Sequence, residues 1–209
     1  MPLYKSIALN EHTFIKIWKI EESYTDLFKS IYLKPECLER VSGMKSEWHQ
    51  RGFLSVRKLL AEFGYTDEDL IYDENGKPHL KDGKHISITH SFNFSAIIVS
   101  ENNTVGIDIE KQREKISVIA DKFVDYEFDY LKSYDEHYVN KLTVIWCAKE
   151  SLYKLYATPG LSFKQHCLVI PFLLADNQTV AWIDYQDKKV RYHIHFLEFE
   201  GFTCAYAIS

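Results

Sequence analysis

Apolar and polar positions alternate along Thr13–Ile20, with Phe14, Lys16, Trp18 and Ile20 on one side and Ile15, Ile17 and Lys19 on the other, which predicts a strand. Ser23–Phe28 predicts a short helix with Ser23 as its cap. From Glu47 to Phe63 the period changes. Phe53, Val56, Leu59, Leu60 and Phe63 fall at helical spacing, and Gly64 follows as a stop. Asp73-Glu-Asn-Gly-Lys-Pro78 has turn chemistry. Ile86–Thr89, Phe94–Ser100 and Val105–Ile109 predict antiparallel strands joined by short turns, with Asn102-Asn103 between the last two.

The second half repeats this rhythm. Ile116–Tyr126 and Val139–Tyr156 predict helices, the second stopped by Pro159-Gly160. Strands are predicted at Cys167–Leu173, Thr179–Tyr185, Lys189–Phe196 and Thr203–Ile208. The fold class expected is α+β, in two halves spanning 1–105 and 106–209, each a long helix packed on an antiparallel sheet. No sequence match links the halves, so their equivalence rests on element order.

Composition narrows the classes. An apolar content of 46% with 15% aromatics supports a folded chain rather than a disordered one. Lys and Arg number 25 against 30 Asp and Glu, a net −5, which excludes a generally basic nucleic-acid binder. The longest apolar stretches, Ser95–Ser100 and Cys167–Ala175, are too short to span a bilayer, and Met1–Asn10 lacks the apolar run of a secretory signal. Cys37, Cys147, Cys167 and Cys204 are scattered without a CxxC pair. That pattern points to reduced thiols in a cytoplasmic protein.

Three groups of residues carry candidate chemistry. In Val105-Gly-Ile-Asp-Ile-Glu110 the isoleucines share one strand face, and Asp108 and Glu110 share the other. Two neighbouring carboxylates repel unless solvated or neutralised by a cation, and hard oxygen ligands suit Mg²⁺. An isolated DxE is more often a solvated strand face. Trp146, Glu150 and Lys154 lie four residues apart on one helix face, and a tryptophan beside that charge pair marks a partly buried surface. Lys149 lies one position off that face. Gly76-Lys77-Pro78 and Ser87-Ile-Thr-His-Ser91 form the third group. Pro78 restrains Lys77; a lone histidine such as His90 is more often a structural or surface residue, but among hydroxyls at a strand end it equally suits phosphate oxygens.

Gly76-Lys-Pro, Ser87-x-Thr-His-Ser91, Gly106-Ile-Asp-Ile-Glu-Lys111 and Trp146-x-x-Lys-Glu-Ser-x-x-Lys154, in this order and spacing, resemble the 4′-phosphopantetheinyl transferases of the surfactin-synthetase type. The four motifs cover residues 76–154, with softer similarity from Arg51 to Leu60 and at Lys122-Phe-Val-Asp-Tyr-Glu127. The resemblance implies a single chain of two pseudo-equivalent halves with the active site in the cleft between them. It implies Mg²⁺-dependent transfer of phosphopantetheine from coenzyme A to a serine of an apo acyl or peptidyl carrier protein, releasing adenosine 3′,5′-bisphosphate. Such chemistry serves fatty-acid, polyketide or nonribosomal-peptide biosynthesis. By motif, Asp108, Glu110 and Glu150 match the metal ligands, His90 and Lys154 the pyrophosphate contacts, and Lys77 a residue beside the adenine nucleotide. Arg51 is aligned with a contact to the 3′-phosphate, with Arg57 as runner-up; Pro78, Thr89 and Ser91 complete the coenzyme-binding set. Glu150 is also the candidate base for the serine proton, which makes Glu150, Lys154 and His90 the catalytic candidates.

Departures from the family pattern at Thr89 and Cys147 remove no ligand, and all three carboxylates are present. An active enzyme is therefore expected over the alternative, a carrier-binding protein of the same fold without the chemistry. One chain holds both halves, so a monomer suffices; neither nucleic acid nor membrane is an expected partner. Carrier docking is expected to rest on apolar contacts near Ile116–Tyr126, with Lys111, Arg113 and Lys115 steering. His193 and His195 share a strand face but have no third ligand nearby, and the acidic run Asp121–Glu136 is expected to be solvated.

Overall fold

A computed structural model describes residues 3–209; the first two residues of the Met1–Asn10 segment lie outside the described residues. The chain divides into two compact units, one running to Thr104 and the other Val105–Ser209.

In the first unit, β1 (Leu3–Asn10), β2 (Thr13–Lys19), β5 (His85–Ser91) and β6 (Phe94–Ser100) form an antiparallel sheet in the order β1-β2-β6-β5. Between β2 and β5 run α1 (Tyr24–Lys29), α2 (Pro35–Gly43), α3 (Glu47–Glu62) and a small hairpin of β3 (Leu70–Tyr72) and β4 (Pro78–Leu80). Ser23 caps α1 by accepting from Asp26 N–H at 3.2 Å, as its sequence position predicts. Helix α3 presents Phe53, Val56, Leu59 and Leu60 to the sheet and buries them with Trp18, Ile86 and Ile97. Each such side chain contributes about 1.5–3 kcal/mol of burial. Gly64 follows α3 with φ +83°, in the left-handed region that suits glycine at a helix end.

In the second unit, β8 (Cys167–Val169), β9 (Gln178–Tyr185), β10 (Lys188–Phe199) and β11 (Phe202–Ile208) make an antiparallel meander. Strand β7 (Val105–Lys111) joins it beside β11. Strands β5 and β6 form the antiparallel pair predicted from the sequence, but β7 opens this other sheet instead of continuing theirs. Helix α5 (Tyr138–Tyr156) packs on β7 and β11, ends at Ala157 in the left-handed conformation, and buries Leu142, Ile145, Ala148 and Leu152. Gly106 makes the close approach possible. A Cβ there would collide with the carbonyl of Ser151 and lie 3.1 Å from Leu155 Cβ.

Two predicted elements differ. Ile116–Tyr126 is not one helix: α4 (Lys115–Ile119) passes into separate helical turns at Ala120–Lys122 and Tyr126–Asp129. The carbonyl of Phe123 is held by Lys149 Nζ at 2.8 Å, and Asp125 leaves helical geometry at φ −142°, ψ −82°. Strand β8 stops at Val169, short of Leu173, because Pro171 brings no N–H to the ladder. It is preceded by α6 (Phe163–His166), whose N-cap Ser162 accepts from Gln165 N–H at 3.3 Å. No helix among the described residues is long and apolar enough to cross a membrane.

Candidate functional site

The strand and helix motifs of the second unit meet. Lys154 Nζ donates to Asp108 Oδ1 at 2.7 Å and to the Ile107 carbonyl at 2.9 Å. Asp108 is buried and Glu110 half-buried on β7, while Trp146, Glu150 and Lys154 form the half-buried face of α5. Ser151, on the sheet side of α5, donates to Ala205 O at 2.9 Å and fixes the helix against β11.

The electrostatics of this group are strained. Burial, helped by the negative charges of Asp108 and Glu110 and opposed by Lys154, pushes the Glu150 carboxyl up to about 7. Burial disfavours the Lys154 ammonium, but Asp108 and Glu150 outweigh it and raise its pKa. The buried Cys147 thiol is pushed well up by burial and then by the charges of Asp108 and Glu110, which leaves it unreactive. No group of three or more His, Cys, Asp or Glu side chains is gathered at metal-binding spacing among the described residues. The donor chemistry nonetheless fits a hard divalent cation. Burial first, and then the charges of Asp108 and Glu110, disfavour ionisation of Glu150, and Lys154 supplies the positive charge now against Asp108.

Next to these residues Trp146 packs edge-on against Phe123 at 5.0 Å and Phe163 at 5.7 Å. A pocket of about 230 Å³ is lined by Glu110, Trp146, Ile116 and Ile119, together with the cations Lys111, Arg113 and Lys115. Val118, on the same short helix as Ile116, is 82% exposed. Below Trp146, Lys149 is fully buried and paired with Glu127 at 2.7 Å. Glu127 thus departs from the solvated acidic run expected over Asp121–Glu136, whereas Asp121, Asp125, Asp129 and Glu136 are exposed. A carboxylate at that depth is held by an ammonium and by the N–H of Val169 at 2.8 Å.

In the first unit the hairpin turn accounts for Lys77 and Pro78. The Asp73 carboxylate accepts from the N–H groups of Asn75 and Lys77, each at 2.9 Å, and Gly76 turns the chain at φ +79°. Bonds from His79 and then from Lys77 N–H hold the Asp73 carboxyl below the usual range. Pro78 opens β4, where its missing N–H costs nothing, and Lys77 is half-buried beside it.

His90 is exposed on β5, whereas Thr89 and Ser91 are buried. Strand alternation puts the two hydroxyls on the face opposite His90, so one phosphate met by His90 does not meet them across the same face. Gly52 of α3 makes room for the His90 ring: a Cβ at Gly52 would lie 2.9 Å from His90 Nδ1. A glycine inside a helix costs about 1 kcal/mol against alanine, and that cost was the available sequence signal for Gly52.

The two arginines of α3 diverge. Arg57 is buried, pairs with Asp67 at 2.9 Å, and donates to Phe53 O and Cys37 Sγ. Its guanidinium lies 3.6 Å from the Phe53 ring centroid. Engaged on every side inside the core, Arg57 does not serve the phosphate role for which it stood second. Arg51 donates through Nη2 to Ile20 O at 3.1 Å and stacks over the half-exposed Trp48 at 5.0 Å, leaving Nε with no hydrogen-bond partner. His193 is exposed on β10, and His195 stacks on Tyr206 at 5.3 Å.

Residues 104–207 match the family described as the 4′-phosphopantetheinyl transferase superfamily. No curated protein matches the chain.

Proposed function

We propose, starting from the chain's membership of the 4′-phosphopantetheinyl transferase superfamily through residues 104–207, that it moves the phosphopantetheine group of coenzyme A onto a serine of an apo acyl or peptidyl carrier protein. The observation that carries this reading is the meeting of Lys154 with Asp108 beside a Glu150 raised to about 7. It joins two sequence-distant motifs into one charged constellation suited to phosphate chemistry.

In this reading the serine Oγ attacks the β-phosphorus of coenzyme A. The bond from that phosphorus to the bridging oxygen breaks, and adenosine 3′,5′-bisphosphate leaves. Glu150, one helical turn before Lys154 on α5, takes the serine proton, directly or through water. Asp108, Glu110 and Glu150 would hold Mg²⁺. The ion would withdraw charge from the pyrophosphate and so lessen its repulsion of the nucleophile. Lys154 and His90 stabilise charge on the phosphate oxygens, and Lys77 lies beside the adenine nucleotide. Arg51, with an unpartnered Nε beside a tryptophan face, is assigned the 3′-phosphate. The carrier docks near the pocket of Ile116, Ile119 and Trp146, steered by Lys111, Arg113 and Lys115.

Incubating apo carrier with coenzyme A and Mg²⁺, with wild type and with Asp108→Asn, tests the reading. A phosphopantetheine-sized mass gain on the carrier with wild type alone supports it.

A further inference from the structure

Lys149 and Glu127 take no part in the transfer steps above, yet both are fully buried. The Lys149 ammonium donates to Glu127 Oε1 at 2.7 Å, to Phe123 O at 2.8 Å and to Phe163 O at 3.1 Å. All three of its N–H bonds are thereby used. Glu127 in turn accepts from Val169 N–H at 2.8 Å and Asp125 N–H at 3.3 Å, which ties the pair to β8 and to the start of the helical turn that holds Glu127. A buried ion pair is a weak source of stability, since apolar residues of like volume do as well or better. Its geometric effect is specific. The two carbonyls that Lys149 grips belong to the two residues whose rings stand edge-on to Trp146. Trp146 lies one helical turn before Glu150 and lines the pocket with Glu110.

We propose that Lys149 and Glu127 are positioning residues. By clamping the backbone at Phe123 and Phe163 they set the Trp146 ring, and so keep the Trp146–Glu150 face of α5 in register with Glu110. The clamp itself is independent of the reaction, while its consequence for turnover rests on the transferase reading.

The test is the double variant Lys149→Met with Glu127→Gln. It removes both charges at nearly constant volume and leaves no orphaned ion. The protein is labelled with 5-fluorotryptophan, and the Trp146 signal among the four tryptophans is assigned with Trp146→Phe. The folded double variant is expected to shift or broaden the Trp146 fluorine resonance while those of Trp18, Trp48 and Trp182 hold. Its kcat should fall about tenfold or more, with KM for coenzyme A changed by less than about twofold. An unmoved Trp146 resonance with unchanged kcat overturns the proposal. So does a general shift of all four resonances, which would mark loosening of the whole fold. If the double variant does not fold, Glu127→Gln alone, which keeps an acceptor oxygen for one of the two backbone N–H groups, is read in the same two ways. If wild type transfers nothing, the transferase reading fails and the fluorine spectra alone decide the clamp.

Discussion

Lys154 on α5 and Asp108 on β7, 46 positions apart in sequence, meet at 2.7 Å, and the same ammonium caps the Ile107 carbonyl. This contact changes what removal of the strand carboxylate should do. Read from sequence, Asp108 is one of two repelling carboxylates, and its loss relieves strain. In the structure its loss also strips Lys154 of its nearest counter-charge. Asp108→Asn should therefore abolish transfer, by about a hundredfold or more, without a gain in stability. Single-turnover transfer and the denaturant midpoint of the variant check both halves of this expectation.

Glu150 gives a pH signature. Its folded pKa of about 7 stands above the ordinary 4.5. Between those values the folded protein keeps a proton that the unfolded chain has released, so this group makes metal-free stability fall as pH rises from about 4.5 to about 7 and flatten above. A divalent cation competes with that proton. The rise in Tm on adding Mg²⁺ should be small near about pH 6 and larger near about pH 8. A pH-independent rise would remove Glu150 from the metal site.

Gly52→Ala separates geometry from stability. The helix gains about 1 kcal/mol of intrinsic propensity, while the new Cβ forces the His90 ring out of place. Transfer should fall about tenfold in kcat/KM with Tm unchanged or raised. Undiminished activity would show that His90 tolerates displacement and is not a phosphate contact.

The arginines of α3 should behave oppositely. Asp67→Ala leaves Arg57 buried without its counter-ion and should cost about 3–5 kcal/mol of stability. Arg51→Ala should leave stability nearly unchanged and lower the preference for coenzyme A over dephospho-coenzyme A by about ten- to a hundredfold. The ratio of kcat/KM for the two substrates measures the second effect.

The difference between Arg51 and Arg57 also shows where the sequence stops informing. Helical spacing places both arginines on α3, but only the tertiary partners Asp67 and Cys37 reveal which one is internal. Local signals carried the turn at Asp73–Pro78, the Ser23 cap, the long helices, and Asp108 with Glu110 on one strand face, because spacing and caps act within a few residues. The pairing of Glu127 with Lys149 was illegible for the opposite reason. Each looks like an ordinary surface charge until the fold buries the two together, 22 positions apart, and Lys149 also takes up the Phe123 carbonyl inside the segment expected as one helix. Strand β1 and helix α2 carried signals too weak to separate from loop, and β1 is an exposed edge.

Intact-mass spectrometry of apo acyl and peptidyl carriers incubated with the protein, coenzyme A and Mg²⁺ bears on the assigned activity with fewest intermediaries. The expected result is a phosphopantetheine-sized gain on one carrier serine that needs both coenzyme A and Mg²⁺ and vanishes with Asp108→Asn. No gain on any carrier, from folded protein whose Tm rises with Mg²⁺, would contradict the transferase assignment.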